Sequence, residues 1–174
     1  MRRRPFPDLP PGARLKRDPA LVPLSQDHHH ALVQSLRLRD AAAGEPGPAA
    51  AAAHAFLDHW HGAMLGHFAD EEAVLFPAVE ATHAEAVARL RGEHVEIASL
   101  VSRLGEPPVP GSDLRDLLGE LGWLVHDHVR FEERVLFEDV QAGLGPSELA
   151  DVGRALEAHR VGRGLAPACP TGGG

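Results

Sequence analysis

The sequence predicts an all-α fold, an antiparallel up-down four-helix bundle with a short additional C-terminal helix. Three observations carry that expectation. Apolar residues recur at spacings of three and four over four long stretches, and clusters of Pro and Gly separate those stretches. The apolar content is also mainly Ala, Leu and Val, with 2 Trp, 6 Phe and no Tyr in 174 residues, a composition suited to helix packing rather than to sheets.

Residues 1–23 carry Pro5, Pro7, Pro10, Pro11, Pro19 and Pro23 among charges and are expected to form an extended arm. The bundle, residues 24–160, opens at Leu24. Ser25 is an N-cap for a first helix running to about Ala43, and Gly44, Pro46, Gly47 and Pro48 make the turn. A second helix from Ala49 aligns Phe56, Leu57, Trp60, Met64, Val74 and Leu75, with Pro77 marking a kink or end. Thr82 and Glu85 form a capping box that starts a third helix, whose stripe is Val87, Leu90, Ile97, Val101 and Leu104. After a Gly- and Pro-rich connection, Ser112 caps a fourth helix with the stripe Leu114, Leu117, Leu118, Leu121, Leu124, Val125 and Val135. Gly143, Gly145 and Pro146 stop it. A fifth helix from Ser147 to about Arg160 is expected on the outside, and residues 161–174 as a flexible tail.

A formal net charge of -8 argues against nucleic acid as a partner, because clustered basic residues occur only at Arg2, Arg3 and Arg4. No apolar run approaches the roughly 20 residues that span a bilayer, and the first residues lack the apolar core of a secretory signal. The expected protein is soluble and cytoplasmic, with no membrane partner. Its single cysteine, Cys169, excludes an internal disulfide.

Histidine is the unusual component, with 12 residues. One falls on the inward stripe of each of helices two, three and four: His67, His94 and His128. Glu71 and Glu132 follow His67 and His128 by four residues, so each helix presents an imidazole and a carboxylate about 40° apart on one face. The segment is repeated, as HFADEEAVLF over residues 67–76 and HVRFEERVLF over residues 128–137. This repeat suggests two helical hairpins related by a pseudo-twofold, with the HxxxE pairs facing each other. The first helix adds His28, His29 and His30. His28 shares a side with Leu24, Ala31, Leu32, Ser35 and Leu38, while His29 aligns with Leu32, Val33 and Leu36 and remains an alternative.

Burying two carboxylates and four imidazoles without compensation costs several kcal/mol per ion, so a cation among them is expected. Imidazole with carboxylate suits iron, manganese or zinc. The remaining histidines, His54, His59, His61, His83, His126 and His159, lie off the inward lines, with His61 a candidate supporting group behind the ligands. Glu72, Glu93, Glu133 and Asp70 are expected on a solvated or supporting face, with Arg130 and Arg134 as pairing partners. Trp60 and Phe68 are read as core.

These motifs resemble the hemerythrin-like, or HHE cation-binding, domain family over roughly residues 24–140: DHHHAL, HFADEE, EHVEI and HVRFEE fall in order, one per helix. The resemblance implies two iron ions with oxygen or hydroxide between them, terminal histidines and two bridging carboxylates. Carried over by position, His28, His67, His94 and His128 are the terminal ligands, and Glu71 and Glu132 the bridges. Two departures stand out. Oxygen-carrying members have HxxxH on the third helix, where this chain has Ala98 four residues after His94. Their fourth-helix carboxylate lies five residues after the histidine, which would select Glu133 over Glu132. The function implied is binding or sensing of oxygen, nitric oxide or peroxide, in concert with a partner protein. The alternatives are an oxidase, peroxidase-like or iron-repair enzyme, and an iron-handling or structural zinc bundle.

Overall fold

The computed structural model describes residues 16–44, 46–107 and 113–164. Among them there is no strand. Helix α1 spans Val22–Ala43. A long second rod follows from α2 (Pro46–His59), a π-helical turn (Trp60–Met64), α3 (Leu65–Asp70), a second π turn (Glu71–Leu75) and the start of α4 (Phe76–Gly105). The rest of α4 is the third rod. The fourth comprises α5 (Leu114–Phe131), a third π turn (Glu132–Leu136) and α6 (Phe137–Gly143), and α7 (Pro146–Gly162) ends the described chain.

Several helix ends depart from expectation, each for a local reason. Helix α1 begins before Ser25, because Pro23 sits in its first turn, where a missing N–H costs nothing. Ser25 lies inside the helix and donates its hydroxyl to Glu133 Oε1 at 2.7 Å instead of capping. Helix α2 likewise starts at Pro46, three residues ahead of Ala49. Pro77 neither kinks nor ends the second rod, since it too falls in a first turn. The break comes at His83 (φ −127°, ψ 34°), and the Thr82 hydroxyl points back to the Val79 carbonyl at 3.1 Å instead of forming a capping box. Ser112 lies outside the described residues; Asp113 caps α5 by accepting from the Arg115 N–H at 2.9 Å. Residues 1–15, 165–174 and with them Cys169 also fall outside.

The buried side chains form two clusters. One contains Ala31, Leu38, Phe56, Met64, Phe68, Ile97, Leu121, Val125 and Val129. The other contains Leu21, Leu24, Leu75, Phe76, Leu90, Leu136, Phe137, Leu149, Val152 and Leu156. Each rod passes from one cluster to the other, and each crossing is marked by polar residues: His28 between Leu24 and Ala31, His67 and Glu71 between Met64 and Leu75, His94 between Leu90 and Ile97, His128 and Glu132 between Val125 and Leu136. The polar layer is thus sandwiched between two apolar ones.

The π turns set the register around that layer. Each inserts one residue into the 3.6-residue period, so Leu75 and Leu136 are fully buried while Val74 and Val135, read as inward from sequence, are only half-buried. Helix α7 is not an external strut. Leu149, Val152 and Leu156 complete the second cluster, and its C-terminal end covers a buried acid, Asp70.

Candidate metal centre

Six side chains converge in the polar layer: His28, His67, Glu71, His94, His128 and Glu132, all buried. Helix α1 delivers His28 inward; His29 and His30, turned about 100° and 200° away, are exposed. Glu71 and Glu132 are each the first residue of a π turn, and each lies beside the histidine one turn earlier, at 3.1 Å from His67 Nε2 and 3.3 Å from His128 Nε2 respectively. The sequence repeat is therefore a repeat of backbone form as well.

These residues make two groups, His28–His67–Glu71–Glu132 and Glu71–His94–His128–Glu132, in each of which the donor atoms lie within 4.8 Å of one another. Both carboxylates belong to both groups. Glu71 reaches toward His67 and His28 with Oε1 (3.1 and 3.7 Å) and toward His94 with Oε2 (3.3 Å). Glu132 Oε2 lies 3.1 Å from His28 Nε2 and 3.3 Å from His128 Nε2. Donors bound to one ion at about 2.1 Å lie roughly 3 to 4 Å apart, so this spacing fits a metal.

The test of fit is the state of those donors. Both oxygens of Glu71, both of Glu132, and Nε2 of His94 and of His128 are buried and make no hydrogen bond. Buried polar atoms left in that condition are costly. Six of them aimed at one volume are explained by cations between them, so each group can hold a metal ion.

The outer imidazole nitrogens are all occupied. His28 Nδ1 donates to Glu133 Oε1 (2.7 Å), His67 Nδ1 to Asp27 Oδ2 (3.3 Å), His94 Nδ1 to Glu72 Oε1 (2.9 Å) and His128 Nδ1 to Glu93 Oε2 (3.0 Å). A carboxylate can only accept, so each Nδ1 carries a proton, and each ring in its neutral form has the lone pair of Nε2 turned inward for a metal, the arrangement of a carboxylate–histidine–metal triad. Stacked rings fix the planes: Phe68 lies 3.8 Å from His94 and Phe137 5.3 Å from His28.

Without metal, protons take up the role of the cation. Burial alone would hold His28 and His67 neutral, but the carboxylates outweigh it: Glu132, Glu133 and Glu71 raise His28 well above its usual pKa, and Glu71 with Asp27 raise His67 to about 9. His94 is raised for the same reason, by Glu71 above all. Burial opposes charge on Glu71 as well, yet His67, His28 and His94 hold its pKa well below the carboxylate range.

Glu72, Glu93 and Glu133, expected on a solvated or supporting face, stand behind the imidazoles, and Asp27, which joins them there, was overlooked. The only signal for Asp27 was its adjacency to His28, and neighbours in a helix point about 100° apart. Asp70 is corrected outright. It is 1% exposed and faces away from the centre to meet His159 Nδ1 (2.8 Å), Arg160 Nε (2.8 Å) and Arg163. His159, read only as lying off the inward lines, is thereby bound. His61 and His54 are exposed. The arginines behind the outer carboxylates are Arg17, Arg160, Arg91 and Arg89 rather than Arg130 and Arg134. Ala98 is exposed, so the third rod presents His94 as its one donor.

A helical bundle with a buried histidine–carboxylate layer defines a metal-binding class, and comparison with family models agrees. The model of the hemerythrin HHE cation binding domain matches residues 21–140, and the chain belongs to that family. Domains of this family bind metal cations. Neither the comparison with curated proteins nor that with solved structures gives a match. No helix among the described residues is long and apolar enough to cross a membrane.

Proposed function

We propose that this protein is a non-haem di-iron binding protein that binds or senses oxygen or a related small oxidant, nitric oxide or peroxide. One observation carries the reading: two four-donor groups are built around the same two glutamates, whose buried oxygens have no hydrogen-bond partner. Shared carboxylates suit a pair of ions better than one. His28 and His67 would serve one ion and His94 and His128 the other, with Glu71 and Glu132 common to both.

The donor set fits iron, with manganese or zinc as alternatives. Bound iron supplies an electron source and a Lewis acid to a small ligand. Two histidines and two shared carboxylates per ion leave room in an iron coordination shell. Phe68, Phe76 and Phe137 line the layer and limit water.

We take the rods to run antiparallel, up and down, which the repeated crossing between the two apolar clusters supports. We place the protein in the cytoplasm, whose reducing poise keeps iron available in the ferrous state. We place the output of such a sensor in a protein partner.

Metal analysis of protein from its native host tests the reading. Two irons per chain with ligand-to-iron charge-transfer absorption are expected; one colourless zinc per chain would replace it with a structural site. Steady consumption of oxygen or peroxide with added reductant would replace the sensor with an enzyme.

A further inference from the structure

Behind each of the four carboxylates stands an arginine. Arg17 meets Glu133 at 2.6 Å and Arg160 meets Asp27 at 2.5 Å, while Arg91 meets Glu72 at 3.0 Å and Arg89 meets Glu93 at 2.8 Å. The four relays divide unevenly. The arginines behind His94 and His128 both come from α4, inside the family-matched span. Those behind His28 and His67 both come from outside it, one from the segment before α1 and one from α7.

Their surroundings differ in the same sense. The side chains of Arg17 and Arg160 are 8% and 15% exposed, against 43% for Arg89 and 36% for Arg91. All four arginines have further contacts, Arg91 with Glu80 and Arg89 over the Phe131 ring, so burial is what separates them: exposed pairs are screened by water and hold geometry weakly, whereas buried ones hold it firmly. Arg17 also donates to the Glu133 carbonyl (2.9 Å) and Glu138 Oε1 (3.0 Å). Arg160 spans two acids, reaching Asp27 with Nη2 and the buried Asp70 with Nε at 2.8 Å. Asp70 is in turn held by His159 and Arg163, which fix the acid that Arg160 leans on.

We propose that Arg17 and Arg160 are positioning residues for the His28–His67 half of the centre, so that the segments flanking the family domain govern metal retention in that half independently of the other. The inference rests on the ligand assignment above. Through Glu133 and Asp27 these arginines keep the two imidazoles oriented with Nε2 inward, and undocking of α7 or of the arm loosens one metal position and not both.

The test uses the full chain loaded with cobalt(II), in two backgrounds that each keep one half. His94→Ala with His128→Ala leaves the His28–His67 half, and His28→Ala with His67→Ala leaves the other. Arg17→Met with Arg160→Met is expected to speed cobalt release to a chelator about 10- to 100-fold in the first background and to leave the second unchanged. Equal acceleration in both would mean general loosening and would overturn the proposal, as would no change in the first. Should the paired methionine variant fail to fold, Arg17→Lys and Arg160→Lys, which keep charge but lose the fork, carry the same comparison. An unsubstituted chain that binds no cobalt would overturn the ligand assignment itself.

Discussion

His28 Nε2 lies 3.0 Å from His67 Nε2, while the opposite nitrogen of each ring donates to a carboxylate. Two lone pairs at that distance repel unless something positive lies between them. In the metal-free chain that is a proton; in the loaded chain it is a metal ion. The two compete for the same atoms, and pH decides between them.

The metal-free and loaded forms should therefore respond to pH in opposite directions. His67 is raised from 6.5 to about 9, so its contribution to metal-free stability is complete below pH 6.5 and disappears as pH rises through about 9. Metal requires the neutral imidazole, so the loaded form should release its ions on acidification and hold them best in the alkaline range. Thermal unfolding with and without metal across this range checks the prediction; parallel slopes would count against it.

Glu71→Ala or Glu132→Ala should abolish paired metal binding, because each carboxylate serves both groups. Glu72→Ala or Glu133→Ala should weaken retention by about 10- to 100-fold without changing stoichiometry, since these residues only hold His94 and His28 in place. Metal content against free-metal concentration separates the two. The reverse ranking would move the ligands one residue along each helix.

The three successive histidines of α1 should not be equivalent. His28→Ala is expected to cost the chain one metal ion, and His29→Ala or His30→Ala none, because the latter two side chains face solvent. Elemental analysis of the three purified variants is sufficient. Loss of metal from the His29 variant alone would show that α1 is rotated by one residue.

Asp70→Ala should destabilise the fold by about 3 kcal/mol, by leaving three basic side chains of the C-terminal segment without their buried acid. Denaturant unfolding measures it, with hydrogen exchange expected to speed up in α7 before elsewhere. By contrast, Leu121→Ala, in the apolar cluster beyond the polar layer, should cost about 2 to 5 kcal/mol through its cavity alone. Metal stoichiometry should survive that change.

What the sequence by itself determined was the inward register. An α-helix repeats every 3.6 residues, so HxxxE at 67–71 and 128–132, and His94 between Leu90 and Ile97, share faces with the apolar stripes, whereas the same rule left both His28 and His29 open on the first helix. The helices, and the gathering of donors in one layer, follow from that local rule. Tertiary structure alone decided what stands behind the donors. Asp27 on His67, Arg17 on Glu133, and α7 closing over Asp70 join residues 40 to 116 positions apart, and periodicity reports which face is buried but never what it meets. The π turns that begin at Glu71 and Glu132 belong to the same category: the extra residue that turns Leu136 inward in place of Val135 is set by packing against neighbouring rods, which no single-helix pattern encodes.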